Sequence, residues 1–184
     1  MSEQQMVLQD KHSQHATSNG TDVEEQAVKY LTFKIEDDVY GSEIDKIKEI
    51  IEYGSITRVP LTPDYLRGVI NLRGNVVPVV DLAKRIGKNS KGVNKKTCII
   101  IVEMSSDIDD EAMDIGFVVD EVDEVMDIPD HQVAPAPQFG TDIRSEFIAG
   151  MGKTHSQFVI LLQLNEVLSV KELAELVEIE SNKY

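Results

Sequence analysis

Apolar and polar positions alternate with a period of two from Tyr30 to Ile35. Leu31, Phe33 and Ile35 fall on one side, and Tyr30, Thr32 and Lys34 on the other. That spacing predicts a half-buried strand. Glu36-Asp37-Asp38 then reads as a turn and Val39-Tyr40-Gly41 as a short strand. Ile44, Ile47 and Ile51 follow at helical spacing behind Ser42, a candidate N-cap, and predict a brief helix before Ile50-Ile51 returns to strand. Arg58-Val59-Pro60 and Thr62-Pro63 punctuate the next connection. Two apolar runs, Val69–Leu72 and Val76–Val80, flank Arg73-Gly74-Asn75, which predicts a hairpin. Asp81 is placed to cap a single helical turn ending at Gly87.

The second half is again strand-like. Thr97–Met104 is an apolar run interrupted only by Glu103 after Thr97, as expected of a strand buried on both faces. An acidic loop over Ser105–Glu111 leads to Met113–Val119, which is expected to pair back as a hairpin. Val122, Val125 and Ile128 are separated by acidic residues and predict a strand with one wet face. His131–Thr141, with Pro135 and Pro137, reads as a long loop, and Phe158–Leu164 as the last strand. Ser169 and Glu172 form a capping box before a terminal helix whose stripe is Val170, Leu173, Ala174 and Val177.

Two stretches are alike. Leu66-Arg67-Gly68-Val69, an apolar strand and Asp81-Leu82 correspond to Ile148-Ala149-Gly150-Met151, an apolar strand and Asn165-Glu166-Val167. Each pairs a Gly-led hairpin with a short helical turn, so the chain reads as two copies of one small barrel. Many short strands with turns every roughly 8–12 residues favour a sandwich or barrel independently.

The 184 residues, 41% of them apolar, suit one domain or two small ones packed together. No apolar run approaches the roughly 20 residues of a membrane span, and no basic-then-apolar leader opens the chain. A cytoplasmic protein is expected. Residues 1–27 are polar and read as a disordered tail; His12 and His15 on such a tail make a poor metal site. Cys98 is the only cysteine, which excludes an internal disulfide and reads as a buried, inert thiol. The net charge of −15 lacks the basic footprint of a nucleic-acid binder. Six basic residues do cluster between Lys84 and Lys96, among glycines, asparagines and a serine, and are expected to form a solvated linker, the alternative being a local basic patch for an acidic partner.

Catalytic motifs are missing. Cys98 has no evident base, His131 and His155 fall in loops, and Gly150-Met151-Gly152-Lys153 lacks phosphate-loop spacing. No cofactor is expected. An interaction module remains, in which a groove between two barrels accepts an amphipathic helix.

GVINLRGNVVPVVDL resembles the signature of the CheW-type coupling proteins of bacterial chemotaxis. KEIIEYGSITRVPLTPDYLRG before it, and MDIGFVVDEVDEVMDIP and EFIAGMGKTHSQFVILLQLNEVL after it, extend the resemblance over residues 28–168. The resemblance implies a mainly β fold of two five-stranded Src-homology-3-like barrels around a shared hydrophobic junction. They would span approximately 28–87 and 97–168, with an exchange of ends left open, and a C-terminal helix and tail would occupy 169–184. It implies a non-catalytic scaffold that joins the cytoplasmic hairpin tip of a chemoreceptor to the regulatory domain of the histidine kinase CheA, recruited to membrane receptor arrays without inserting in the membrane. A CheW-like adaptor of another receptor–kinase system, for surface motility or biofilm control, is the alternative.

The same resemblance implicates Arg73, Glu49, Ile47, Gly68 and Gly116 in receptor binding, with Cys98 lining the groove where the family often carries valine. It assigns no kinase-contacting residue here. Read from the residues alone, Arg73 either meets a receptor carboxylate or pairs within the chain, with Glu49, Asp81 or another carboxylate, or does both. Ile47 is core or surface, and the two glycines serve close backbone approach inside a barrel or toward a partner helix.

Overall fold

A computed structural model describes residues 26–105, 112–138 and 142–181. The expected tail lies outside them apart from Gln26 and Ala27, as do His12, His15 and most of the acidic loop after Ser105.

The apolar run forms β6 (Cys98–Ser105), paired antiparallel with β7 (Ala112–Val119). It is buried on both faces, as expected. Ile99 and Ile101 pack with Val77, Val79 and Val118 on one side, while Ile100, Val102 and Met104 join a larger cluster on the other. β3 (Ile47–Glu52) lies antiparallel on β6, β5 (Asn75–Asp81) parallel on β7, and β4 (Leu66–Leu72) antiparallel on β5. The resulting order is β3-β6-β7-β5-β4. Pro78 sits in an inner strand without cost: it opposes Val69, whose own N–H and C=O both turn away to Thr57 at 2.9 Å. That bridge ties the two outer edges of the sheet together, because Thr57 follows β3 and Val69 belongs to β4.

The other sheet gathers both ends of the chain. β1 (Ala27–Ile35), β2 (Asp38–Glu43), β8 (Glu121–Pro129), β9 (Val133–Ala134), β10 (Ile148–Lys153) and β11 (Phe158–Leu162) stand in the order β8-β1-β2-β11-β10-β9. The weak internal repeat is real in space. Along β8-β1-β2-β11-β10, as along β3-β6-β7-β5-β4, the pairings run antiparallel, antiparallel, parallel, antiparallel. Register shifts recur at matching places, between Leu66 and Gly68 and between Ile148 and Gly150. So do the hydrogen bonds Asp81 N to Tyr65 O at 2.7 Å and Gln163 N to Phe147 O at 2.9 Å. Two sheets of one topology are therefore observed, one with five strands and one with six.

Between them lies the main core. Leu31, Phe33 and Tyr40 from one sheet meet Val80, Ile100 and Phe117 from the other. Burying such side chains contributes about 1.5–3 kcal/mol each, so this junction dominates the stability of the pair.

Three expectations change, and a fourth is extended. Ile44, Ile47 and Ile51 build no helix: Ile44–Lys46 is one 3-10 turn, and Ile47 opens β3. The β-branched side chains of β3 gain more against the isoleucines of β6 than helical spacing offers. The loop after His131 contains β9, which extends the sheet beside β10. The terminal helix α2 (Val170–Ser181) buries Leu173 and Leu176 and leaves Ala174 exposed, because Glu172 is turned inward to a cation. And the Lys84–Lys96 segment, exposed from Lys91 to Lys96 as a solvated linker should be, is also strapped down. Its Lys88 and Lys91 reach Asp38 and Asp37 at 3.5 and 3.4 Å, its Asn89 amide donates to Glu36, and Lys96 pairs with Glu121. Exposed pairs of this kind stabilise by about 0–1 kcal/mol each. The stronger anchor is Ser90, whose hydroxyl donates to buried Asp81 at 2.6 Å. Asp81 also caps α1 (Leu82–Arg85), as expected.

Arg85 holds α2 to the body. Its Nε donates to the Val167 carbonyl at 2.6 Å, its Nη2 meets Glu172 at 2.9 Å, and its guanidinium lies over Tyr65 and Phe147. The predicted capping box forms in full: the Ser169 amide donates to Glu172 and the Glu172 amide to the Ser169 hydroxyl. Burial pushes the Glu172 carboxyl up, but the Ser169 amide and hydroxyl and the Arg85 charge outweigh it and leave it below the ordinary 4.5. A depressed carboxyl stabilises the fold above its unfolded value and loses that contribution as pH falls through its folded value. Hydrogen exchange is expected to show the Ser169 amide protected at neutral pH and losing protection as pH falls through that range. Glu172→Gln should abolish the pH dependence; an unchanged profile would refute this account of the cap.

Candidate functional site

The β4–β5 hairpin closes on two residues, Arg73 and Gly74, with φ of 53° and 90°. Positive φ at both central positions is the turn whose twist matches the strands. Glycine takes it freely; arginine does so at a cost, offset here by the Asn71 side chain accepting from the Gly74 amide at 2.9 Å. The turn thus fixes Arg73 at the tip.

Arg73 is 74% exposed, and its two terminal nitrogens grip Glu49 of β3 at 2.7 and 2.8 Å. The intramolecular pair foreseen as one alternative is present. The Glu49 hydrogen bonds raise the pKa of the guanidinium, and those same bonds hold the Glu49 carboxyl below its usual range. Both groups are therefore charged at neutral pH. The pairing also orients Arg73, since a guanidinium has donors beyond the two that Glu49 occupies. Beside it, Lys48 is tied to Asp114 at 2.9 Å and Glu103 at 3.5 Å.

Ile47 and Cys98 belong to a different surface, the junction. Both are half-buried and pack against the main cluster, as does Val122 of β8. Burial pushes the Cys98 thiol up, so it sits there as a small neutral side chain. Two residues that sequence reasoning did not single out extend this margin. Ile50 of β3 is 41% exposed and opposes buried Ile100; Val125 of β8 is 48% exposed and opposes buried Leu31. Opposed residues share a face, so both stand on the junction side, on the edge strands that occupy equivalent places in the two sheets. The signal was present in their strand alternation, but only the pairing reveals which apolar residues remain uncovered. Glu49 opposes Ile101, so by the same rule the Arg73 pair stands on the other face of edge strand β3 from Ile47 and Ile50.

Gly68 and Gly116 do not reach the surface. A Cβ on Gly68, at φ 141°, would stand 2.1 Å from the Thr57 carbonyl oxygen; on Gly116 it would meet Ile99 Cγ2 at 2.7 Å. Both let backbones or side chains close inside the five-stranded sheet.

Among the described residues, no group of three His, Cys, Asp or Glu side chains is arranged to hold a metal, and no helix is long and apolar enough to cross a membrane. What the site offers is an oriented cation at one face of β3 and an apolar margin at the other.

The chain is similar to known proteins. The family model of the CheW-like domain matches residues 29–172. The chemotaxis protein CheW of Klebsiella aerogenes is 32% identical over 145 residues, covering 79% of this chain and 84% of that one. The CheW of Thermotoga maritima is 32% identical over 148 residues, covering 77% and 90%. The crystal structure of the scaffolding protein TtCheW from Thermoanaerobacter tengcongensis superposes with a TM-score of 0.71 at 34% identity, over 80% of this chain and 97% of that one. By the family model, by relatives of more than 30% identity and by the superposed crystal structure, this chain belongs to the CheW-like domain family.

Proposed function

We propose that the protein is a non-catalytic scaffold that couples chemoreceptors to the histidine kinase CheA in bacterial chemotaxis signalling. The observation that carries this reading is Arg73, fixed at a strained turn, exposed, and oriented by Glu49 on edge strand β3, whose other face carries Ile47 and Ile50 of the seam that Cys98 and Val125 continue. A helical hairpin tip lays its apolar stripe along the seam, and one of its carboxylates meets the guanidinium. The kinase regulatory domain takes another face, and the scaffold is recruited to membrane arrays through the receptor. Signal passes as differential binding, since a ligand shifts an equilibrium only by its unequal affinity for two states.

Pull-downs of the full chain with a soluble receptor fragment and, separately, with full-length kinase test this. Arg73→Glu is expected to weaken receptor binding more than tenfold, leave kinase binding intact and keep a native circular dichroism spectrum, because the side chain is exposed. Normal binding of both partners by Arg73→Glu would remove the site assignment.

A further inference from the structure

Leu61 carries two penalties at once. It is apolar yet fully exposed, and its backbone sits at φ 60°. In that left-handed region a Cβ crowds the following carbonyl, which asparagine tolerates better than leucine. Exchange to asparagine would relieve both, so leucine here is the worse choice for the folded chain alone. The loop around it is stiff. Pro60 and Pro63 flank it, the Thr62 hydroxyl donates to the Val59 carbonyl at 2.9 Å, and the Leu66 amide donates to the Pro63 carbonyl at 2.9 Å. A strained, rigid apolar knob in water matches the buried anchors of protein interfaces more than any internal role.

Its position and rim narrow the partner. The loop precedes the first residue of β4 and Arg73 follows the last, so strand rise separates them by roughly 20 Å. Arg58 and Lys84 line the same cleft of 390 Å³ beneath the loop. Arg58 makes no ion pair among the described residues, and the Lys84 ammonium bonds the Asp64 carbonyl at 3.4 Å; Asp64 supplies the loop's one carboxylate. On a chain of net charge −15, this is a local surplus of positive charge.

We propose that Leu61 anchors a second docking face, and that the histidine kinase occupies it with an apolar socket rimmed by carboxylates. This rests on the scaffold reading above. A scaffold with two partners needs a face that leaves Arg73 free, and a cationic rim selects an acidic socket by charge complementarity.

Full-length kinase and the soluble receptor fragment, each immobilised, test it with the full chain. Leu61→Asn is expected to melt at the same temperature or about 2–3 °C higher. It should bind kinase at least tenfold more weakly and bind receptor as the parent does, while Leu61→Met restores kinase binding. Arg58→Glu should also weaken kinase binding, and most at low salt. Kinase binding unchanged in Leu61→Asn, or a loss confined to receptor, overturns the proposal. A parent chain that binds neither partner overturns the scaffold reading itself, and this proposal with it.

Discussion

Gly68→Ala is expected to lower stability by about 3–5 kcal/mol, the sum of a left-handed backbone forced on a side chain and of steric overpacking. The added methyl would stand 2.1 Å from the Thr57 carbonyl oxygen and 2.8 Å from Ile56 Cγ2. The first of these is backbone and cannot swing aside. The Thr57–Val69 bridge must open to make room, and with it the only backbone tie between the two outer edges of the five-stranded sheet among the described residues. Against a total of about 5–15 kcal/mol for a domain, many molecules would be unfolded at ambient temperature. Urea denaturation measures the loss, with Gly54→Ala as the control, since nothing lies within 4 Å of a Cβ there. A native midpoint for Gly68→Ala would mean that the bridge is dispensable. The result also bears on function. A receptor-binding defect at this position would follow from the misshapen sheet, with no contact to the receptor required.

Asp81→Ala ranks second, at about 2–4 kcal/mol. Asp81 is 2% exposed and gathers four donors: Arg67 Nε at 2.9 Å and Nη2 at 2.8 Å, the Ser90 hydroxyl at 2.6 Å and the Lys84 amide at 3.2 Å. Breaking a buried pair typically costs 3–5 kcal/mol, mostly for the charge left behind; Arg67, a quarter exposed, recovers part of that through water. The α1 cap is lost as well. Removing both charges, as Asp81→Ala with Arg67→Met, should cost less than removing Asp81 alone. Denaturation midpoints of the two variants check this, and a double variant worse than the single would contradict it. Limited proteolysis adds a local readout, because the strap from Lys88 to Lys96 loses its Ser90 anchor and should become the first site cut.

Much of this architecture can be read directly along the chain. The alternation at Leu31, Phe33 and Ile35, the apolar run before Met104 and the Arg73-Gly74 turn are local patterns, and short-range geometry enforces them. The Asp81 cap and the Ser169–Glu172 box are equally local, since each partner lies three residues from the other. Ile44, Ile47 and Ile51 misled because their spacing fits a helix as well as a strand, and the isoleucines of β6 that decide between them lie about fifty residues away. The linker is solvated over Lys91–Lys96, as its composition suggests, but its ties to Asp37 and Asp38 depend on the distant β1–β2 turn and could not be read locally.

The site divides along that line. Residue type and turn chemistry alone determined that a cation stands at a hairpin tip, that the strands are apolar and that the chain repeats itself. Only the tertiary structure decided that Glu49 orients Arg73, that Gly68 and Gly116 are interior, that Ile50 and Val125 stay uncovered and that Leu61 projects into water. The reason is physical. Period and propensity act over a few neighbouring residues, whereas exposure, pairing and steric clearance depend on which distant strand arrives beside each side chain.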